Sequence, residues 1–482
     1  MKTQCKQETF LFQTQNKRDL VAHFNGGNIT SDAGGLLLQQ TERIAGIIKR
    51  FAACFTDHRD PDLIEHSVEE LIAQRVYALA LGYEDLNDHD ELRNDPLLAV
   101  LVGKDDPTGQ NRIRQRDKGK ALAGKSTLNR LELTPVRANH KSRYKKITIN
   151  RHAVDDFLVA VFLESYRRPP ARIILDLDAT DDPLYGNQAG RFFHGYYQNY
   201  CYLPLYIFCG QHLLCARLRP SNIDASTGSV KELDRIVCHI RSRWPYVQIV
   251  IRGDCDFCRE HIMAWCERNQ VDYVLGLAKN ERLRREIAAE IEQAKKLYQE
   301  TAQAARMFKD FAYQTLESWS RSRRVVGKAE YLAKGENPRF VVTSLSADEV
   351  DARTVYEDSY CARGDMENRI KEQQLWLFAA RSSCATMRAN QLRLWFSSVA
   401  YTLMVALRRL GLQGTKLAQA QCGTIRLKLL KMGAQIRLTV RKIWVSLSES
   451  YPYQQLFRQV YPPYVGRINQ NLVRLCPIPL RC

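Results

Sequence analysis

The chain lacks any apolar run long enough to cross a membrane. Its longest apolar stretches, such as Leu203–Cys209, fall far short of the roughly 18 residues that a transmembrane helix needs. The first residues, Met1–Thr14, are polar and do not contain the apolar segment of a signal peptide. These absences predict a soluble, cytoplasmic protein with no membrane partner.

Acidic side chains are almost missing from the last 110 residues. Between Gln373 and Cys482 there are 16 Lys or Arg residues and one acid, Glu449, whereas the preceding 372 residues hold 55 bases and 52 acids. Apolar helical runs such as Leu392–Leu412 argue against a disordered tail. A solvated basic face would explain the charge, but so one-sided an excess favours a surface that binds nucleic acid.

The fourteen cysteines do not predict a disulfide framework or a zinc site. Cys255 and Cys258 have the spacing of a metal-binding pair, but no second pair lies nearby, and structural zinc needs four ligands. The cysteines that fall in predicted strands and helices are expected to be small buried apolar residues: Cys201, Cys209, Cys215, Cys238, Cys266 and Cys384.

The first 150 residues are predicted to be mostly helical. Helical spacing follows Ser31, which we expect to cap a helix, and Ser67 with Glu70 fits the capping box S-x-x-E. Residues 125–133 predict one more short helix. The stretch resembles a helical domain placed ahead of a different fold.

From Arg172 the pattern becomes α/β. A strand, a hairpin, a helix, a strand, a helix and a strand follow in order, which predicts a mixed sheet flanked by helices. A charged helix and short strand-like pieces then interrupt this rhythm, and helices resume after Tyr360. The predicted regions are a helical N-terminal domain (1–150), the first part of the core (151–278), a β-rich insertion (279–359), the final core helices (360–410) and a helical basic C-terminal region (411–482).

Two acids each end a predicted central strand. Asp178 follows Arg172–Leu177, and Asp254 follows Val247–Gly253. Functional groups of α/β sheets gather at such strand ends, and two carboxylates that converge there repel each other unless a cation lies between them. Two Mg²⁺ ions held by carboxylates can drive phosphodiester displacement. The third ligand is predicted to be Glu367, with Glu372 as the weaker candidate.

The first of these strands is followed by further acids, and they are not equivalent. Asp176 points to the same face as Asp178 but lies deeper, so it is expected to support Asp178 from behind. Asp181 and Asp182 begin a loop that could face the substrate.

The motifs DLDATDDP, RGDCDF and YCARGDMENRIKE resemble the three acidic motifs of DDE insertion-sequence transposases, which have an RNase H-like fold. The third is similar to the Y-x2-R-x3-E-x6-K signature of the IS-four-like branch. Tyr360, Arg363 and Glu367 keep its spacing, but Gln374 stands where the signature has Lys, and Lys371 is the substitute candidate.

The resemblance implies a Mg²⁺-dependent enzyme, in which Mn²⁺ could replace Mg²⁺, that cuts the ends of an insertion sequence and joins them to target DNA. Asp178, Asp254 and Glu367 would be the catalytic metal ligands, and Tyr360, Arg363 and Lys371 would contact DNA. The expected partners are double-stranded DNA, in the form of terminal inverted repeats and target, and a second copy of the chain. The protein would then be associated with the nucleoid.

Several of these residues also have structural interpretations. The resemblance implies that Trp319, in the insertion, could stack on a flipped base, but it could equally be a packed Trp in a small sheet. Arg363 could pair with Asp365 or Glu367 on a helix surface, and Asp254 could cap the next helix.

Three rival functions remain to be separated from transposition. Gly119–Ser126, GKALAGKS, matches the P-loop pattern, but a polar, charged stretch precedes it where a P-loop needs a buried strand, and Ala121–Ala123 reads as helix. A metal-dependent nuclease of the same fold would cleave without joining strands. A non-catalytic DNA-binding protein would explain the basic tail but not the three carboxylates.

Overall fold

The computed structural model describes residues 9–461 of the chain, which divides into two compact units. Unit 1 comprises Met1–Ile149 and Val399–Cys482, and unit 2 comprises Asn150–Ser398. None of the helices in the described residues is long and apolar enough to cross a membrane.

The N-terminal part of unit 1 is helical with short strands. Its strands are β1 (Thr9–Gln15), β2 (Arg18–His23), β3 (Asn28–Thr30), β4 (Phe55–Asp57) and β5 (Ile147–Ile149). Its helices are α1 (Gly35–Ala45), α2 (Ile47–Ala52), α3 (Val68–Leu81), α4 (His89–Leu92), α5 (Pro96–Val102) and α6 (Lys125–Glu132).

Of the two helix caps predicted in this region, one is confirmed and one is wrong. The capping box is confirmed, because Glu70 N donates to Ser67 Oγ and Ser67 N donates to the Glu70 carboxylate. The Ser31 cap is wrong: α1 begins at Gly35, and Ser31 donates to Asp32 instead.

Two hairpins of unit 1 were not predicted. Strands β1 and β2 pair through a turn in which Asn16 and Lys17 both have positive φ, a conformation that Asn-Gly would have signalled more strongly. The basic C-terminal region, predicted to be helical, contains the second hairpin.

That region has both helices and strands. After α15 (Cys422–Ile425) come β18 (Ala434–Leu438), β19 (Ile443–Leu447) and α16 (Gln454–Val460). Strand β18 pairs with β19 and also with β3, so the C-terminal segment completes a three-stranded sheet begun near the N-terminus.

Unit 2 alternates strands and helices. Its strands are β6 (Arg172–Ala179), β7 (Asp182–Pro183), β8 (Phe192–His194), β9 (Asn199–Tyr202), β10 (Leu205–Cys209), β11 (His212–Arg217), β12 (Gln248–Gly253), β13 (Asp272–Leu277), β14 (Ala305–Tyr313), β15 (Arg323–Leu332), β16 (Gly335–Glu336) and β17 (Arg339–Thr343). Its helices are α7 (Arg151–Glu164), α8 (Ser229–Arg243), α9 (Glu260–Arg268), α10 (Glu281–Glu286), α11 (Ala288–Thr301), α12 (Ala352–Thr354) and α13 (Gly364–Trp376), and α14 (Met387–Leu407) begins in this unit.

Nine of the described strands form one mixed sheet. Its order is β11-β10-β6-β12-β13-β17-β15-β14, with β16 paired to β15. Strands β6, β12 and β13 are parallel, whereas β10 and β11 form the antiparallel hairpin. The predicted mixed α/β sheet flanked by helices is therefore confirmed.

The strands of the predicted insertion extend this sheet and do not form a separate one. Strand β17 pairs antiparallel with β13, and β15 and β14 follow outward. A pairing between strands about 70 residues apart leaves no local signal in the sequence.

Successive residues of each strand point to opposite faces of the sheet, and both faces carry buried apolar residues because both are covered. One face carries Leu175, Ile249, Ile251 and Leu275 against the helices, including the apolar face of α8 at Leu233, Ile236 and Ile240. The other face carries the intervening residues Val250, Val274, Val326 and Val341, covered by Val355 and Tyr356. The segment after β17 therefore lies over the face to which even-numbered residues of β6 and β12 point.

All cysteines that the structure describes are free thiols. Five of the six expected to be buried are buried, but Cys238 is exposed because it lies on the outer side of α8, between Val237 and His239. Cys255 is exposed and Cys258 is buried.

Candidate active site

Asp178 and Asp254 lie next to each other at the carboxyl edge of the sheet. The parallel register pairs Arg252 of β12 with Asp176 of β6. Two residues further along each chain come Asp254 and Asp178, and the two-residue period keeps both on the same face as that pair. The β6–β12 pairing, which joins strands 76 residues apart, therefore brings the two acids together.

Glu367 comes to the same ends of β6 and β12 from the part of the chain that follows β17. It lies in the first turn of α13, which packs against β6. Asp178, Asp254 and Glu367 all line one cavity of about 670 Å³. Glu372 does not line this cavity, because it faces inward, is 1% exposed and lies 3.7 Å from the Arg369 guanidinium.

Arg363 stands among the three carboxylates. Its Nη2 donates to Glu367 Oε1 at 2.7 Å, and its Nη1 lies 3.5 Å from Asp178 Oδ2. The sequence left open an ion pair between Arg363 and Glu367 on a helix surface. The structure has this ion pair, but Arg363 and Glu367 both line the cavity, and Arg363 also contacts Asp178. The guanidinium is therefore the counter-charge of the site in this structure.

The electrostatics of the cavity reflect crowded acids. Burial, with the carboxylates of Asp254 and Glu367, raises the pKa of Asp178 to about 7 although Arg363 opposes the shift. Burial also raises the pKa of Asp254, as does the neighbouring Asp256. Burial would lower the pKa of Arg363, but the three carboxylates outweigh it and raise that pKa. A site with this imbalance attracts cations.

The donor set suits a hard divalent cation, but its present arrangement is not a coordination site. Three carboxylates on one cavity are the ligands that Mg²⁺ prefers. Within residues 9–461, however, no three His, Cys, Asp or Glu side chains converge closely enough to hold a metal ion. The Arg363 guanidinium occupies the contacts that two of the carboxylates would otherwise offer.

Asp254 has a capping role as well. Its Oδ1 accepts a hydrogen bond from Asp256 N at 2.9 Å and begins a single 3-10 turn. Asp254 therefore caps this turn and not the next helix, α9, whose N-cap is Arg259, and the cap also fixes the carboxylate at the cavity wall.

Of the remaining signature positions, Lys371 and Gln374 line the cavity and Tyr360 does not. Lys371 is exposed and lines it, together with Gln374, whose Nε2 donates to the Asp181 carbonyl at 3.1 Å. Tyr360 packs on β13 over Gly276, where an added Cβ would lie 2.5 Å from its hydroxyl. Gly276 is therefore required for Tyr360 to lie in this position.

The other acids of the first motif have separate environments. Asp176 is 4% exposed and paired with Arg252, whose Nη2 lies 2.9 Å from Asp176 Oδ2. Asp181 accepts from Asn199 Nδ2 at 3.1 Å. Asp182 is buried, where burial raises its pKa to about 8, and it accepts from Ser382 Oγ. Of the four acids of this motif, only Asp178 lines the cavity.

Trp319 is packed and does not present a face to solvent. It is 5% exposed, meets Tyr313 edge to face, and has the Arg323 guanidinium over its ring at 5.5 Å. Arg323 itself is held by Glu260 and Glu267. This matches the packed-Trp interpretation and leaves no surface on which a base could stack.

Sequence reasoning missed an aromatic hairpin beside the carboxylates, formed by β8, β9 and their connection. Tyr196 and Tyr197 line the cavity that Asp178, Asp254 and Glu367 share, and Tyr196 is 84% exposed. Phe193 and Tyr200 are half exposed, and Arg191 lies over the Tyr200 ring at 4.7 Å. The signal was present in the composition of RFFHGYYQNY, which has five aromatic residues, but no element was predicted at residues 191–199.

The profile of a transposase family, described as Transposase DDE domain group 1, matches residues 12–464. The chain belongs to this family. Members of this family are enzymes that cleave DNA and transfer DNA strands, so the general function of the chain is DNA transposition.

Other comparisons are more distant. The chain is similar to the piggyBac transposase in a cryo-EM structure of its synaptic complex with hairpin DNA. The identity is 12%, the alignment covers 94% of this chain and 87% of that one, and the TM-score is 0.41, too low to support an argument. No curated protein matched the chain.

Proposed function

We propose that the chain is a cut-and-paste transposase that cleaves DNA at the ends of an insertion sequence and joins those ends to target DNA. The observation that carries the proposal is the cavity shared by Asp178, Asp254 and Glu367. It lies at the strand ends where α/β proteins gather their functional groups.

The strand order supports an RNase H-like core. The run β11-β10-β6-β12-β13 combines an antiparallel hairpin with three parallel strands, and α13 packs across β6. We assign the first part of the core to residues 151–278, the insertion to 279–359 and the final core helices to 360–410. The spacing of Tyr360, Arg363 and Glu367 favours the IS-four-like branch.

Mg²⁺, which Mn²⁺ could replace, is the cofactor that we propose for the three carboxylates. Two such ions, when bound, stabilise charge on the attacking and leaving oxygens of a phosphodiester displacement. Burial raises the pKa values of Asp178 and Asp254, which means that their ionised forms are unfavourable in this cavity. A divalent cation beside them would stabilise the ionised forms. Asp178, Asp254 and Glu367 would hold the ions through their carboxylate oxygens.

The reaction that we propose has two displacements. Water attacks the phosphorus of a phosphodiester at the element end and breaks its P–O3′ bond, which leaves a 5′-phosphate on one side and a free 3′-hydroxyl on the other. That hydroxyl then attacks the phosphorus of a target phosphodiester, forms a new P–O3′ bond and releases the 3′-oxygen of the target strand, which takes up the proton. When its contacts with Asp178 and Glu367 are broken, the Arg363 guanidinium can bind a phosphate through two hydrogen bonds. Tyr360 and Lys371 supply further phosphate contacts at the same edge.

The remaining assignments concern DNA and assembly. We assign terminal-repeat binding to the N-terminal domain (1–150), and binding of DNA or of a second subunit to the basic C-terminal region (411–482). Because two ends must be joined, we expect a homodimer on double-stranded DNA, associated with the nucleoid.

Strand joining separates transposition from simple cleavage. The protein is incubated with Mg²⁺, with a duplex that carries the element end, and with a target plasmid. We expect both cleavage at the element end and a product in which that end is joined to the plasmid. The joined product is the expected result because a freed 3′-hydroxyl remains in the same site. Cleavage without joining would favour the nuclease, and salt-dependent binding without any product would favour a DNA-binding protein. ATP is not expected to change the yield.

Tyr196 is predicted to stack on an unpaired base at the cleaved end. Its ring is 84% exposed and lines the cavity, and base–aromatic stacking contributes roughly 1–3 kcal/mol. Tyr196→Ala should therefore lower end cleavage about 5- to 150-fold. It should also abolish the quenching of a 2-aminopurine placed at the end nucleotides.

Tyr246→Ala is the matched control, because Tyr246 is 96% exposed in the same unit and does not line the cavity. Trp319→Phe should retain the quenching. Loss of quenching in Trp319→Phe, with quenching kept in Tyr196→Ala, would return the stacking role to Trp319.

A further inference from the structure

Unit 1 contains a second polar cavity, of about 410 Å³, far richer in cations than in acids. Three acids line it, namely Glu65, Asp90 and Asp117. Seven cationic side chains line it: Arg59, Arg93, Arg112, Arg114, Arg116, Arg130 and Lys146. The excess positive charge is concentrated on one concave surface, which is a condition for binding anions.

Part of the positive charge is not neutralised by the protein. Arg93 pairs with Asp117 at 2.9 Å, and Arg112 pairs with Glu65 at 3.1 Å. Among the described residues, by contrast, Arg114, Arg130 and Lys146 form no ion pair with an acidic side chain. Three cations therefore remain available to a ligand.

Buried polar atoms in the wall also lack partners. His66 is 5% exposed and lines the cavity, yet its Nε2 has no hydrogen-bond partner in the described part of the chain. The same is true of Arg93 Nε. Unsatisfied buried polar atoms are rare in folded proteins, and two of them on one cavity indicate a missing acceptor.

The wall includes the end of the sequence motif that matched a P-loop. Gly124, Ser126 and Thr127 line the cavity at the start of α6. The motif is not a P-loop, because a 3-10 turn at Gln115–Asp117 precedes it and no strand feeds it. The stretch at Ala121–Ala123 is irregular and buried, not helical as expected.

We propose that this cavity binds phosphate groups of the DNA backbone. The Arg114, Arg130 and Lys146 side chains would contact the phosphate oxygens, and His66 Nε2 would complete the site as a neutral donor. The proposal deepens the DNA binding assigned above to the N-terminal domain and rests on that function for its substrate class.

The surrounding charge favours a polymer over a free nucleotide. Residues 112–130 contain seven Lys or Arg and one acid, and residues 137–146 contain five Lys or Arg and no acid. Both stretches contribute to the cavity. The exposed Tyr144 ring at its edge contacts the guanidinium groups of Arg130 and Arg143, each 5.0 Å from the ring centre. A single phosphate would use little of this surface.

The test compares two double variants of the full-length protein. Arg114→Ala/Arg130→Ala removes two exposed cations of the cavity, and Arg43→Ala/Lys49→Ala removes two exposed cations of unit 1 outside it. The affinity for a fluorescein-labelled duplex carrying the element end is measured by anisotropy in EDTA, from 50 to 300 mM salt. ATP and inorganic phosphate are titrated separately by calorimetry.

The cavity variant should bind the duplex roughly 10-fold or more weakly, with a salt slope shallower by about 1–2. The control should keep both values, and ATP and phosphate should not bind. Equal losses in both variants, or none in the cavity variant, would overturn the proposal, as would ATP binding that the cavity variant loses. EDTA prevents metal-dependent cleavage, so this experiment measures DNA binding alone. If binding changes as expected but the protein never cleaves DNA with Mg²⁺, only the catalytic assignment is refuted.

Discussion

Asp178→Asn is expected to reduce DNA cleavage by roughly 10³-fold or more. Metal-held charge stabilisation is worth several kcal/mol in such displacements, and ~4 kcal/mol corresponds to about that factor. The substitution keeps the shape of the side chain and removes its charge from the cavity that it shares with Asp254 and Glu367. Asp254→Asn and Glu367→Gln should have effects of similar size, measured as initial cleavage rates on end-bearing DNA.

Asp181→Asn is the matched control for this series. Asp181 belongs to the same motif, but it is held by Asn199 and does not line the cavity. It should retain cleavage within a few-fold of the parent protein. Retained cleavage in Asp178→Asn, or a comparable loss in Asp181→Asn, would contradict the assignment of Asp178.

Thermal melting gives the same substitution a readout that does not depend on activity. A ligand that binds only the folded state stabilises it by about 2.7 kcal/mol at a hundred times its dissociation constant. Mg²⁺ should therefore raise the melting temperature of the parent protein and not that of Asp178→Asn. Without Mg²⁺ the variant should melt no lower than the parent, because it removes a buried carboxyl that its neighbours repel.

The sequence made this part of the site predictable because its signals are local. An apolar strand that ends in an acid marks Asp178 and Asp254 without any knowledge of the fold, and the structure brings them together on one cavity. Glu367 required the resemblance, since a helix with several acids offers no local reason to prefer Glu367 over Glu372. Burial of Glu372 separates the two only once α13 is packed.

What the sequence left undetermined depends on contacts between distant residues. Trp319 lies in an arginine-rich stretch that suggests a surface, but Arg323 is held by Glu260 and Glu267, about 60 positions earlier. The pairing of β17 with β13 is equally non-local. Arg363 could be assigned to a helix surface from its spacing, and only the crossing of α13 over β6 brings it to Asp178.

The ion pair of Asp176 and Arg252 connects the two strands that lead to Asp178 and Asp254. Asp176 is 4% exposed and Arg252 6% exposed, and they are register partners in β6 and β12. Arg252 also donates to the Ser359 carbonyl at 2.6 Å, directly before Tyr360. Burial raises the pKa of Asp176 even though Arg252 opposes the shift. The pair is therefore costly to bury and holds three parts of the site in position.

Arg252→Ala should lower the free energy of unfolding by about 3–5 kcal/mol, because it leaves the Asp176 carboxyl buried without its partner. For a unit of this size, that loss lowers the melting temperature by about 6–20 °C. The double variant Asp176→Leu/Arg252→Met should recover much of the loss, since apolar replacement of a buried ion pair is often neutral. The Ser359 carbonyl remains without its donor, so recovery should be incomplete.

Arg284→Ala serves as the control for a surface ion pair in the same unit. Arg284 lies 3.0 Å from Glu336, and both side chains are over a third exposed, so its removal should change stability by no more than about 1 kcal/mol. Asp176→Asn should melt below the parent protein yet cleave DNA at temperatures where it is folded, since Asp176 supports the strand and does not line the cavity. An Asp176→Asn variant that is stable but inactive would place Asp176 in the catalytic set and contradict its structural role.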